Sequence, residues 1–131
     1  MFDVTRYATA AQSIVEAGRF LYDRGWSPAT SSNYSARIDG DHVAITVSGR
    51  HKGQLGAGDV MVVDLHGQAV QSDCRSSAET LLHTVIYQLY PEVAAVLHTH
   101  SVKATVLSRL IPAEQALELE GYELQKAFNG V

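Results

Sequence analysis

The 131-residue sequence is 46% apolar and carries ten basic against fourteen acidic residues, a formal charge of −4, which suits one water-soluble globular domain over residues 1–131. Its Lys and Arg residues form no cluster that would follow a phosphate backbone, so nucleic acid is not an expected partner. The longest apolar run covers residues 93–97, far short of the roughly 20 residues that cross a bilayer; the start has no basic-then-apolar leader, and the single Cys74 suits a reducing cytoplasm.

Residues 3–24 place Val4, Tyr7, Ala8, Ala11, Ile14, Val15, Leu21 and Tyr22 at spacings of mostly three and four, which predicts an amphipathic helix stopped by Gly25. A small, polar loop follows over residues 26–32. Residues 33–38 and 42–48 flank Asp39-Gly40-Asp41, the pattern of an antiparallel hairpin. Residues 60–65 and 68–70 around His66-Gly67 predict a second hairpin. Ser76 or Ser77 opens a predicted helix to about Tyr90, stopped by Pro91, and Glu79 stands three residues after Ser76 at capping-box spacing. Residues 92–98 predict a strand, 101–110 a helix, Ile111-Pro112 a break, and 113–128 a last helix. Turns this short cannot carry parallel crossovers, so the sheet is expected to be substantially antiparallel. The Gly-x-Gly-x-x-Gly turn of dinucleotide-binding folds is absent.

Three groups of residues can carry chemistry. His98-Thr99-His100 ends an apolar strand, where residues i and i+2 share a face. The two imidazoles either converge on a divalent cation such as zinc or hydrogen bond to backbone as ordinary strand-end histidines. Thr30-Ser31-Ser32-Asn33, Ser48-Gly49-Arg50-His51-Lys52 and Arg75-Ser76-Ser77 offer hydroxyls and approachable amides, the last at a helix N-terminus. Together they can hold a phosphate, and singly each is turn and cap chemistry. Glu79 and Glu123 are candidate acid/base carboxylates, beside the plainer readings of a helix cap for Glu79 and a solvated helix surface for Glu123. His83 reads as a packed or hydrogen-bonded helix residue.

Taken in order, Ala29-Thr30-Ser31-Ser32-Asn33-Tyr34-Ser35, Ile45-Thr46-Val47-Ser48-Gly49, Ser76-Ser77-Ala78-Glu79 and His98-Thr99-His100 resemble the class II aldolase/adducin family. Ser48-Gly49-Arg50-His51-Lys52, the run from Ser76 through His83, and Leu119-Glu120-Gly121-Tyr122-Glu123-Leu124-Gln125-Lys126 are most similar to dehydratase members of that family. The resemblance implies a three-layer α/β/α domain with a mainly antiparallel sheet, one zinc ion per subunit, a homotetramer, and a small sugar phosphate as substrate. It implies water loss as the reaction, with aldol cleavage, epimerisation or a non-catalytic adducin-like interaction role as alternatives.

Residue by residue, the resemblance places His98 and His100 at two of three metal histidines. Asn33, Ser48, Gly49, Ser76 and Ser77 fall at or beside the phosphate-cradling positions, with Lys52 as an addition. Glu79 stands at the carboxylate that aldolases use and Glu123 at the acid/base carboxylate of dehydratases. Ala78 stands where the aldolases carry a second serine before the glutamate. The family's third metal histidine lies in a His-Gly segment past residue 131, for which His66-Gly67 comes too early, so either the C-terminal part of the domain lies beyond this sequence or the domain is truncated and its zinc shell incomplete.

Overall fold

In a computed structural model of the chain, which describes residues 1–118, 120 and 121, the first helix begins where Asp3 caps it. The Asp3 carboxylate accepts from the amides of Thr5 and Arg6 at 2.9 and 3.0 Å, satisfying donors that have no partner inside α1 (Val4–Asp23). At the other end Gly25 takes φ +71°. Its amide reaches Tyr22 O at 2.8 Å and that of Trp26 reaches Leu21 O at 3.0 Å, the paired bonds of a glycine-terminated helix.

The predicted first hairpin forms from β1 (Asn33–Arg37) and β2 (His42–Thr46), paired antiparallel with Ser35 opposite Ile45. Asp39 closes its turn by accepting from the amides of Asp41 and His42, both at 2.9 Å. β3 (Val60–Asp64) joins the outer side of β2 and β4 (Ala95–His98) joins β1, giving the order β3-β2-β1-β4 with every neighbour antiparallel. Between β3 and β4 the chain runs through α2 (Thr80–Leu89). The period-2 alternation of the strands then supplies two cores. Tyr34, Ala44, Val60 and Val62 pack with Ala10, Ala11, Ile14 and Leu21 of α1, while Val43, Ile45, Met61 and Val63 pack with Tyr87 of α2. The sheet is therefore covered by a helix on each face, the expected α/β/α arrangement. Gly18 lets α1 approach closely: a Cβ there would stand 2.7 Å from Lys52 O and 2.8 Å from Leu55 Cδ1.

Four elements differ from the sequence expectation. The second hairpin is reduced to β3 and a single bridge, Val63 to Ala69, because the Asp64 carboxylate draws the turn tight by accepting from His66 N at 2.8 Å and Gln68 N at 2.9 Å. α2 begins at Thr80, and its cap residue Glu79 makes no side-chain capping bond; the predicted capping box does not form because that carboxylate has a tertiary partner, described below. The last strand starts at Ala95, since Val93 N turns back to Tyr90 O at 3.0 Å. The helix predicted over 113–128 is absent over 113–118, where Pro112 O instead closes a turn onto Gln115 N at 2.9 Å, and further on Gly121 is left-handed at φ +74°; residues 119 and 122–128 of it lie outside the described residues.

The chain divides after Ser101 into two compact units. The first holds the sheet, α1 and α2. The second begins with α3 (Val102–Leu110), whose Ala104 and Leu107 line a shallow apolar cavity with Ile111, Pro112 and Leu117.

Candidate functional site

The glycine-terminated end of α1 leads into a loop that the backbone holds in an unusual shape. Ala29 and Ser32 sit at φ +51° and +72°, a region that costs a non-glycine residue on the order of 1 kcal/mol or more and that needs outside support. Lys52 supplies it. Its amide donates to Ala29 O at 2.9 Å, and its ammonium donates to Thr30 O at 3.0 Å and Arg50 O at 2.7 Å. The residue is only 1% exposed; burial pushes the Lys52 ammonium below its usual range, while the Asp59 and Glu79 carboxylates pull it back up. A lysine so placed joins two loops and keeps a positive charge beneath them.

The start of α2 is brought to the same place. Ser48 N donates to Arg75 O at 2.9 Å, Val47 bridges to Ser76, and the Ser77 hydroxyl donates to Thr46 O at 2.9 Å. A cavity of about 180 Å³ results, lined among others by Ser32, Asn33, Ser48, Gly49, Lys52, Ser77, Glu79 and His100. Six of the eight residues expected to hold phosphate or act as acid or base meet there. Of the other two, Ser76 is taken up by backbone pairing with Val47 and does not line the cavity, and Glu123 lies outside the described residues.

Behind the cavity runs a ladder of polar side chains on the α2 face of the sheet. Asn33 Nδ2 donates to Glu79 Oε2 at 2.6 Å, and Asn33 Oδ1 stands 2.6 Å from His83 Nε2 and 3.3 Å from His98 Nδ1. His83 Nδ1 meets the Ser35 hydroxyl at 2.7 Å, and Ser35 in turn meets the Tyr87 hydroxyl at 2.8 Å. Asn33 and Ser35 are two apart on β1 and so share a face; His83 and Tyr87 are four apart on α2 and share a stripe. The Glu79 carboxylate thus replaces its expected local cap with a partner 46 residues away in sequence.

His83 is fully buried. Burial, and secondarily His98, push its pKa down to about 4, against an opposing pull from Glu79. The unfolded chain protonates such a group near pH 6.5 and the folded one only near 4, so its contribution to stability is complete above pH 6.5 and is lost as pH falls toward 4. The difference in unfolding free energy between the wild-type protein and His83→Gln, followed by urea titration from pH 7.5 to 4.5, is expected to shrink on the order of 3 kcal/mol over that window. A difference independent of pH would show that His83 is not held neutral.

His98 ends β4 and His100 follows two residues later, with ring centroids 4.8 Å apart. His98 is half-buried with Nδ1 turned to Asn33; His100 is exposed at the cavity wall, and its amide donates to Trp26 O at 2.7 Å. The pair fits two positions of a divalent-cation site, being two nearby imidazoles with one ring already oriented from behind. Among the described residues no group of three or more His, Cys, Asp or Glu side chains is arranged to hold a metal ion. The sequence reading missed the part His83, Ser35 and Tyr87 play behind the site. The i, i+2 pairing of Asn33 with Ser35 and the i, i+4 pairing of His83 with Tyr87 were the available signals, and both also describe ordinary core positions.

Known proteins are similar to this chain in sequence and in fold. The chain is 98% identical over all its 131 residues to a methylthioribulose-1-phosphate dehydratase of Marinobacter nauticus and 66% identical over the same length to one of Hahella chejuensis. It spans 63% of the length of each. Among solved structures, the L-fuculose-1-phosphate aldolase of Thermus thermophilus superposes with a TM-score of 0.66 at 29% identity, over 88% of this chain and 58% of that one. Residues 12–130 match the model of the class II aldolase and adducin N-terminal domain, and it is to this family that the chain belongs.

Proposed function

We propose that the full-length protein is a cytoplasmic, zinc-dependent lyase of methionine salvage, assembled as a homotetramer, that removes water from 5-methylthioribulose 1-phosphate to give 2,3-diketo-5-methylthiopentyl 1-phosphate. The observation that carries this reading is the cavity itself: small-residue loops, a buried ammonium and a helix N-terminus surround a space that also exposes Glu79 and His100. Such a space fits an anionic phosphate at one end and a reacting carbon chain at the other. The 98% and 66% identical dehydratases supply the choice of reaction.

Asn33, Ser48, Gly49, Ser77 and Lys52 hold the phosphate, with the Ser76 backbone fixing the Ser77 turn, and Lys52 supplies a buried positive charge at the cavity. Holding the phosphate orients C3 and C4 of the substrate without entering the chemistry, which converts remote binding energy into alignment. His98 and His100, with a third ligand from outside the described residues, would hold the divalent cation. A cation held there would supply Lewis-acid polarisation of substrate oxygens next to the carbon that loses its proton. Glu123 takes the C3 proton and protonates the C4 hydroxyl, which leaves as water as the C4–O bond breaks; the resulting enol takes a proton at C4 and becomes the diketone. Glu79, oriented by Asn33, faces the same carbons and assists.

A second reading, a sugar-phosphate aldolase, draws on the position of Glu79 in the cavity beside His100. Incubating the full-length zinc-loaded protein separately with 5-methylthioribulose 1-phosphate and with L-fuculose 1-phosphate separates the two. The dehydratase reading expects a diketone product with no carbon–carbon cleavage from the first and no turnover of the second. Release of an aldehyde from either would overturn it in favour of an aldolase.

A further inference from the structure

We propose that His83, which does not line the cavity, is a positioning residue: held between Ser35 and Asn33, it locks the Asn33 amide so that its oxygen faces His98 Nδ1 and its nitrogen faces Glu79. The proposal rests on the reading of His98 as a metal ligand and adds the device that presents it.

The argument follows from which atoms can donate. A carboxylate only accepts, so the Asn33 atom 2.6 Å from Glu79 Oε2 is the amide nitrogen. The Asn33 oxygen then faces His83 Nε2 at 2.6 Å and His98 Nδ1 at 3.3 Å, and each of those ring nitrogens carries a hydrogen. With Nε2 protonated, the neutral His83 ring presents a lone pair at Nδ1, which accepts from the Ser35 hydroxyl at 2.7 Å, and Ser35 accepts in turn from Tyr87 at 2.8 Å. Every bond from Tyr87 to Glu79 then has one direction. The reversed amide would set its oxygen 2.6 Å from the Glu79 carboxylate, two acceptors with no hydrogen between them, so it is excluded. With the hydrogen of His98 held on Nδ1, the lone pair left for a cation is on Nε2.

Of the two donors to the Asn33 oxygen, His83 makes the shorter bond and is fully buried, whereas His98 stands at a half-exposed strand end. Removing His83 therefore frees the amide to rotate, and His98 loses the acceptor that selects its tautomer. Glu79 loses its fixed donor by the same motion.

The tautomers are read by nitrogen-15 NMR of the imidazoles in the full-length protein at pH 7.5, with and without zinc. Wild type is expected to show Nε2–H at His83 and, before zinc is added, Nδ1–H at His98. His83→Leu is expected to turn His98 into a tautomer mixture and to weaken zinc affinity about tenfold in chelator competition, within the range for residues that hold a ligand in place. His83→Gln, whose side-chain amide donates in place of Nε2–H, is expected to restore both. A wild-type His98 protonated on Nε2, or a His98 tautomer unaffected by His83→Leu, overturns the proposal. The wild-type spectrum decides the matter even if the leucine variant does not fold. The expected tautomers in a protein that binds no zinc would support the lock while removing the metal reading of His98.

Discussion

Replacing His98 or His100 by Ala in the full-length protein is expected to strip the bound metal and abolish turnover, while far-ultraviolet circular dichroism stays that of the wild type. The two residues sit at the open end of an edge strand and contribute little to either core. Val96 packs on the α2 face, and Leu97 is 51% exposed, so a shortened side chain at residue 98 or 100 leaves the sheet register intact. The metal loss should be large. Changes to groups that merely hold a ligand in place cost roughly 10–100-fold in affinity, so deleting a ligand outright is expected to exceed about 100-fold, leaving a shell too small for a catalytic zinc. The two variants should also differ in a secondary respect. His98→Ala removes one of the donors to Asn33, whereas His100→Ala leaves that amide undisturbed; only the first should perturb the His83 resonances. Stoichiometric metal in either purified variant, measured by elemental analysis, would falsify the ligand assignment.

The sequence made legible whatever local physics determines. Asp39-Gly40-Asp41 names a hairpin because an aspartate can close that turn with its own carboxylate, and it does so on Asp41 and His42. Gly25 names a helix end because its left-handed backbone is cheap only for glycine. The single-threonine spacing of His98 and His100 brings their rings within 4.8 Å. What failed was the choice between a local and a distant partner for the same group. The spacing of Ser76 and Glu79 allows a capping box, but Asn33 brings an amide from 46 residues away, at 2.6 Å, and takes the carboxylate. Lys52 shows the converse. Its place beside a phosphate loop is visible in Ser48-Gly49-Arg50-His51-Lys52, yet its burial under Thr30 and Arg50 carbonyls is set by the approach of α1, which Gly18 permits. The absent helix over residues 113–118 is a third kind of failure: apolar periodicity there promised a face, and the turn closed by Pro112 prevails.

Glu123→Gln is expected to leave metal content and phosphate binding unchanged while lowering kcat on the order of 100-fold or more, the range for loss of a positioned proton-transfer group. Two steps of the elimination need such a group, removal of the proton on C3 and delivery of one to the departing C4 hydroxyl, and they can be read apart. In deuterated water, a variant lacking the base stops both exchange at C3 and water release. A variant lacking only the acid continues to exchange deuterium into C3 of unreacted substrate while release stops. Glu79 is the alternative carrier, and its geometry sets the contrast. Its carboxylate is tethered to the Asn33 amide at 2.6 Å at the cavity wall, so it presents its oxygens to the substrate from one fixed position. Glu79→Gln keeps an acceptor oxygen for Asn33 and is expected to lower kcat less than Glu123→Gln, with C3 exchange retained. If instead Glu123→Gln turns over at close to the wild-type rate and Glu79→Gln abolishes exchange at C3, the proton shuttle is the Asn33-bound carboxylate, and the polar ladder behind it becomes the part of the molecule that orients the shuttle.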